Sequence, residues 1–313
     1  MTRTDRAERF FLSFFGTPTD GTSASLLRLT LGVCALWQAI GVWLNLRRFW
    51  GDDGLIPYAI VAGEKYQWLS PFSWAPSSDA ILYGHGIAFT AASFFLFIGF
   101  YPRIFTLVLA WTHLSLQFRN PFILNSGDRL FMIVSALAVA TPLGQRFSVD
   151  AWIRKLKNRP APEGLTLWGM RLLQIQLAYV YLNSALAKLG NTRWRTGMAL
   201  RDVLSSPVFA EWPSYIDITP IIWFLTYSTL VFELSFPILI WFKKPRPWLL
   251  AYGVLFHTGI DALMVIPIFS YIMISTYPVF LEDGEIERAR RFFLKIVRRE
   301  RASPVETPSA AGV

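Results

Sequence analysis

Apolar runs dominate the chain and set its elements. About 20 mostly apolar residues are needed to cross a bilayer as a helix. Ser25 to Leu44, Ala80 to Phe100 and Pro220 to Phe242 meet that requirement. Ile104 to Gln117 and Leu130 to Leu143 are shorter, and Thr166 to Leu189 is long but unusually polar. Trp248 to Phe280 is too long for one helix, and Pro267 is the expected break. The pattern predicts an all-α, polytopic integral membrane helix bundle of about eight transmembrane helices. Three stretches place basic residues among Phe, Trp, Ile or Leu at helical spacing: Arg9 to Phe15, Phe147 to Lys157 and Glu285 to Arg299. Such segments lie in the headgroup layer, and the last is also of the kind that binds a partner. A short helix is expected from Trp194 to Leu204, and residues 303–313 have the composition of a disordered tail. The chain thus divides into an amphipathic N-terminus (1–23), a membrane domain (24–281) and a basic helix with its tail (282–313). No internal repeat or glycine-rich phosphate loop is visible, and no soluble catalytic domain.

Composition supports this division. Of 313 residues, 53% are hydrophobic and only 16% charged, against roughly 25% charged in soluble domains; mean hydropathy is +0.39. That leaves too little polar surface for a water-soluble globule and too few charges for disorder. A single cysteine, Cys34, excludes a disulfide scaffold and cysteine-ligated clusters. The net charge of +9 suits a membrane surface, not nucleic acid. With a cytoplasmic N-terminus, the inner segments hold 19 Lys and Arg and the outer ones eight, the bias of the positive-inside rule. The expected place is the cell membrane, multi-pass, with both termini cytoplasmic. No signal peptide is expected, because the basic start leads into a full-length apolar segment.

Ionisable residues inside spans are functional candidates by default. Here they are Arg28, His85, His113, Arg171, Lys188, Glu233, His257 and Asp261. Each also has a structural reading, as a paired charge or hydrogen-bonded ring that locks helices together. Gln174, Tyr181 and Lys188 recur every seven residues on one stripe, with Gln176 and Asn183 roughly opposite. Two polar stripes predict a central helix touching protein on several sides. Lys188 either snorkels to the outer headgroups or points inward, where apolar surroundings favour a neutral amine able to act as a base. His257 has Asp261 one turn on, a spacing that can orient an imidazole; His113 has Gln117 one turn on. By depth, His113, Lys188, His257 and Asp261 are expected to share one cavity toward the outer face. Glu233 is expected to pair with Arg28 or Arg171. His85, within YGHG, is the weaker candidate. Three histidines without paired spacing predict no metal site.

Four segments in this order carry a resemblance: RFWGDDGLIP (Arg48 to Pro57), FRNPFILNSGDRLF (Phe118 to Phe131), QIQLAYVYLNSALAKLGNTRWRTGMAL (Gln174 to Leu200) and FHTGIDALMVIPIFSYIMIS (Phe256 to Ser275). Over about Leu26 to Leu281 the chain resembles the horizontally transferred transmembrane (HTTM) family, whose best-known member is the vitamin K-dependent gamma-glutamyl carboxylase. The resemblance implies Lys188 as general base, with His257 and His113 as orienting or acid/base groups. It implies reduced vitamin K or menaquinol as cofactor and a peptide or protein as substrate. Tyr181, Gln174, Gln117, Asp261 and Trp194 are then expected to bind or orient substrate or quinone. The carboxylase has a large lumenal region after its membrane part, whereas this chain ends soon after its last span, so propeptide binding is not expected. The alternative is a non-catalytic multi-pass membrane protein for peptide toxin maturation, export or immunity.

Overall fold

A computed structural model describes residues 3–63, 67–210 and 219–302; the expected disordered tail lies outside the described residues. Helices occupy every apolar run. In chain order they are α1 (Arg3–Phe15), α2 (Thr22–Trp50), α3 (Tyr58–Val61), α4 (Asp79–Ile98), α5 (Pro102–Arg119), α6 (Ser126–Ala138), α7 (Val149–Leu156), α8 (Trp168–Gly190), α9 (Thr192–Arg195), α10 (Ala199–Leu204), α11 (Thr219–Leu239), α12 (Arg246–Leu263), α13 (Phe269–Thr276) and α14 (Asp283–Ala302). All three amphipathic stretches are helical, as α1, α7 and α14. The short helix expected after Trp194 is two, α9 and α10. The apolar run from Trp248 breaks at residues 264–268, around Pro267, and ends in a 3-10 turn, Tyr277–Phe280.

Lengths are uneven. Among the described residues α2, α4 and α11 are long and apolar enough to cross a membrane. Helix α6 has 13 residues, about 20 Å at 1.5 Å per residue, short of the roughly 30 Å hydrocarbon core. The chain is thus an all-α protein that associates with a bilayer through a few apolar helices. Trp37, Leu44, Phe94, Phe224, Val231, Trp248 and Leu255 all point outward and exposed, as expected where lipid is the solvent.

Helix α2 is the spine. It buries Leu27, Leu31, Ala35, Ala39, Val42 and Leu46 and packs on α4, α13 and the 3-10 turn. Helix α8 is less central than its two polar stripes predict. It packs on α11 and α6, while Ile175, Tyr179, Leu182, Asn183 and Leu186 are exposed. The stripe with Gln174 and Tyr181 is buried; Asn183 on the other faces out.

The expected inner segments meet at one end. There the Asp283 carboxylate accepts from the Thr19 hydroxyl (2.6 Å) and from the backbone N–H groups of Asp20 (3.1 Å) and Ser23 (2.8 Å). Arg28, with no exposed surface, donates to the carbonyls of Leu96, Phe97, Leu143 and Phe147. The first two lie in the last turn of α4, at the negative end of its dipole, where the Leu96 carbonyl also accepts the N–H of the capping Gly99. At the opposite end, Arg119 donates to the carbonyls of Ile56 and Gly51. Asp52 in that loop accepts from the Ser77 hydroxyl and the Tyr58 N–H, which hold its carboxyl below the usual carboxylate range.

Candidate functional site

Lys188 sits near the C-terminal end of α8. A helical side chain leans toward the N-terminus of its own helix, so the lysine runs back past Ser184 toward the middle of α11. Its Nζ donates to Ser184 Oγ (2.6 Å) and to both Glu233 oxygens (2.6 and 2.7 Å). Three N–H donors thus meet three acceptors, and the Trp194 ring lies 5.1 Å from the nitrogen. The side chains are 21% and 6% exposed. One expectation is corrected here, and one open alternative is decided. Glu233 pairs with Lys188, not with Arg28 or Arg171: Arg28 is taken up by four carbonyls, and Arg171 by the Phe14 carbonyl and Gln174. Of the two readings for Lys188, the inward one holds: it closes an ion pair between α8 and α11.

Two turns back along α8 from Lys188, Tyr181 joins two other elements. Its hydroxyl is 2.8 Å from His257 Nε2 on α12 and 2.6 Å from the Tyr277 hydroxyl in the 3-10 turn. All three are buried, packed among Phe232, Phe236 and Phe269. Such a chain can pass a proton along its length. Asp261 takes no part in it. It is exposed one turn nearer the end of α12 and accepts from the Tyr271 hydroxyl (2.7 Å). The His257–Asp261 pairing is therefore corrected to His257–Tyr181.

Gly253 makes room for this chain. A Cβ there would stand 2.2 Å from the Tyr277 hydroxyl. Gly253→Ala should therefore push Tyr277 off Tyr181 and cost about 1–3 kcal/mol, the range for overpacking. Thermal melts of Gly253→Ala alone and with Tyr277→Phe check this: removing the hydroxyl should recover part of the loss.

His113 lies elsewhere. It lines a cavity of about 270 Å³ with Trp37, Gln38, Trp50, Gln117, Asp128 and Ile268, among neighbours that include neither Lys188 nor His257. Its Nε2 and the Gln117 amide both meet the Asp128 carbonyl, each at 3.1 Å. The segment between α12 and α13 closes over this cavity because residue 127 is glycine. A Cβ there would stand 2.7 Å from the Pro267 carbonyl. Ile268 holds a left-handed backbone (φ 61°), a strained state for a β-branched residue.

The expected cluster thus divides. Lys188 with Trp194, and Tyr181 with His257, form neighbouring groups. His113 and Gln117 belong to the cavity. Gln174 is nearer the N-terminal end of α8, donating to the Val279 carbonyl and accepting from Arg171. His85 bonds the Thr112 carbonyl (2.8 Å), a structural contact. Sequence reasoning missed Tyr277 and the cavity residues Gln38 and Asp128. The signal for Asp128 was the capping pattern Asn125–Ser–Gly–Asp128, which the structure satisfies in both directions. Among the described residues no cluster of three or more metal-ligating side chains occurs.

Comparison with known proteins follows the membrane core. The model of the HTTM domain matches residues 17–284. The chain is 29% identical over 196 residues to sporulation-delaying protein SdpB of Bacillus subtilis, a match covering 59% of each protein. No solved structure matches.

Proposed function

The chain belongs to the HTTM family, and from that premise we propose that it is a non-catalytic multi-pass membrane protein serving a peptide partner, in its maturation, export or neutralisation. The single observation that carries this reading is the state of Lys188. A general base must offer a lone pair, and this amine is committed to three acceptors within 2.7 Å. It acts instead as a tie between helices. The similarity to a sporulation-delaying protein supports the same direction.

In this reading α5, α6, α8, α12 and α13 complete about eight passes, the short α6 and α13 with their flanking turns, with both termini cytoplasmic and the Trp194 end outside. Single cysteines in a Cys34→Ala background, labelled in intact cells with a membrane-impermeant maleimide, check the topology. Position 52 should label and position 154 should not; the reverse would invert the protein.

The functional test compares the culture medium of cells with and without the chain by peptide mass spectrometry. A secreted peptide whose amount or processing depends on the chain is expected, and Lys188→Arg, which keeps the charge, should restore it. Loss of a peptide mass gain of one carbon dioxide per glutamate would put the carboxylase reading first. That reading, with reduced vitamin K or menaquinol, stands second. The Tyr277–Tyr181–His257 chain suits proton movement, but the residue that would accept a proton from the quinol does not fit while Glu233 holds it. Menaquinone in lipid extracts of the purified protein would count in its favour.

A further inference from the structure

The 270 Å³ cavity has a chemical bias that its walls do not satisfy. A carbonyl only accepts, so the His113 Nε2 that meets the Asp128 carbonyl carries the ring hydrogen. In the neutral ring, Nδ1 then offers a lone pair, and this atom is buried with no partner. Gln38 donates its amide N–H to an Asp128 carboxylate oxygen (3.2 Å), and its own Oε1 is likewise buried and unpartnered. Asp128 accepts from Asn125 and Gln38. No described cationic side chain lies within ion-pair distance of it. The cavity therefore offers two unpartnered acceptors beside a carboxylate without a counter-cation. Trp37, Phe49 and Trp50 line it as well, and aromatic rings attract cations. A ligand that completes this set must donate at least two hydrogens and carry positive charge.

We propose that the cavity is a binding site for a primary ammonium group, the amino terminus or a lysine side chain of the peptide partner; this rests on the peptide reading above. Size agrees with the tip of a larger molecule. Pockets for whole drug-sized ligands span about 300–1,000 Å³, and this one falls just below. Its lining includes Asn120, Ile123 and Leu124 of the loop after α5 and Phe49 near the end of α2, at the end of the bundle where Arg119 ties down the Asp52 loop. A peptide at that surface can extend one side chain inward.

The test uses the full chain in lipid nanodiscs, titrated with n-butylammonium chloride and with the neutral 1-butanol while binding is followed by saturation-transfer NMR. Butylammonium should bind at least about tenfold more tightly than butanol, as charge-assisted hydrogen bonds are stronger than neutral ones. Asp128→Asn should remove most of that preference. Because Asp128 also caps α6, Gln38→Leu is the second variant: it leaves the Asn125–Asp128 cap intact and should weaken butylammonium about tenfold. Equal binding of the two probes, no binding of either, or an unchanged preference in a folded Gln38→Leu protein would each overturn the proposal; no binding would leave the cavity to water. These readouts involve no peptide, so their failure is separate from failure of the peptide assay. Specific butylammonium binding without any chain-dependent peptide would keep the ammonium site and remove only its assignment to a peptide.

Discussion

Replacing Lys188 with alanine is expected to destabilise the bundle by about 3–5 kcal/mol, the usual cost of breaking a buried ion pair from one side. The loss follows from what stays behind. Glu233 is only 6% exposed on its side chain, so without the ammonium its carboxylate faces apolar surroundings with one remaining donor, Ser184 at 3.2 Å. Glu233→Gln should cost less, because Lys188 is 21% exposed and its amine can shift toward Trp194 and the surface. The double variant Lys188→Met/Glu233→Leu should recover much of the loss, since apolar replacement of a whole buried pair is often neutral or better. Melting temperatures of the four proteins in one detergent form the check. A Lys188→Ala protein as stable as the parent, with the double variant no better, would mean that the pair contributes nothing to stability.

The second large effect is expected at Arg28. Arg28→Met removes the donor shared by four carbonyls from three segments: the end of α4, residue 143 and residue 147. Leu96 keeps the Gly99 N–H, but each buried carbonyl left without a donor costs about 1–3 kcal/mol. Partial relaxation and water entry make the total smaller than the sum, and about 3–5 kcal/mol is expected. Arg28→Lys should rescue little. A single ammonium has three donors on one atom and cannot reproduce the fork of a guanidinium. Hydrogen exchange gives a local readout: residues 143–148 should lose protection before the core of α2 does. Uniform loss throughout the molecule would mean that Arg28 supports the whole bundle and not this junction.

Much of the fold was legible because the apolar runs and their breaks are local signals. Pro267 marked the division of the last long run, and basic amphipathic spacing marked α1, α7 and α14. The number of passes was less legible, because hydropathy does not measure helix length within a packed bundle: α6 stops after 13 residues. The site was legible in its residues but not in its partnerships. Depth along a helix axis put Lys188 and Glu233 at different levels, yet a lysine leaning back along its helix spans that difference. Spacing along α12 paired His257 with Asp261. One turn separates a buried ring from an exposed carboxylate there, and Tyr181, 76 positions away in sequence, is the nearer partner. Tyr277 was overlooked because a tyrosine in an apolar run carries no periodic signal.

The clasp made by Asp283 sets an order for biosynthesis. It holds Thr19, Asp20 and Ser23 across separations of 260 to 264 residues. At about 5–20 residues per second, the first helices wait on the order of tens of seconds for the residue that secures their entry. During that interval the start of α2 has its Ser23 N–H unmet and the turn before it lacks its clasp, so the newborn bundle is open at that end. Nascent chains stalled before residue 283 should therefore be cut by protease near residues 16–23, and chains released after it should resist.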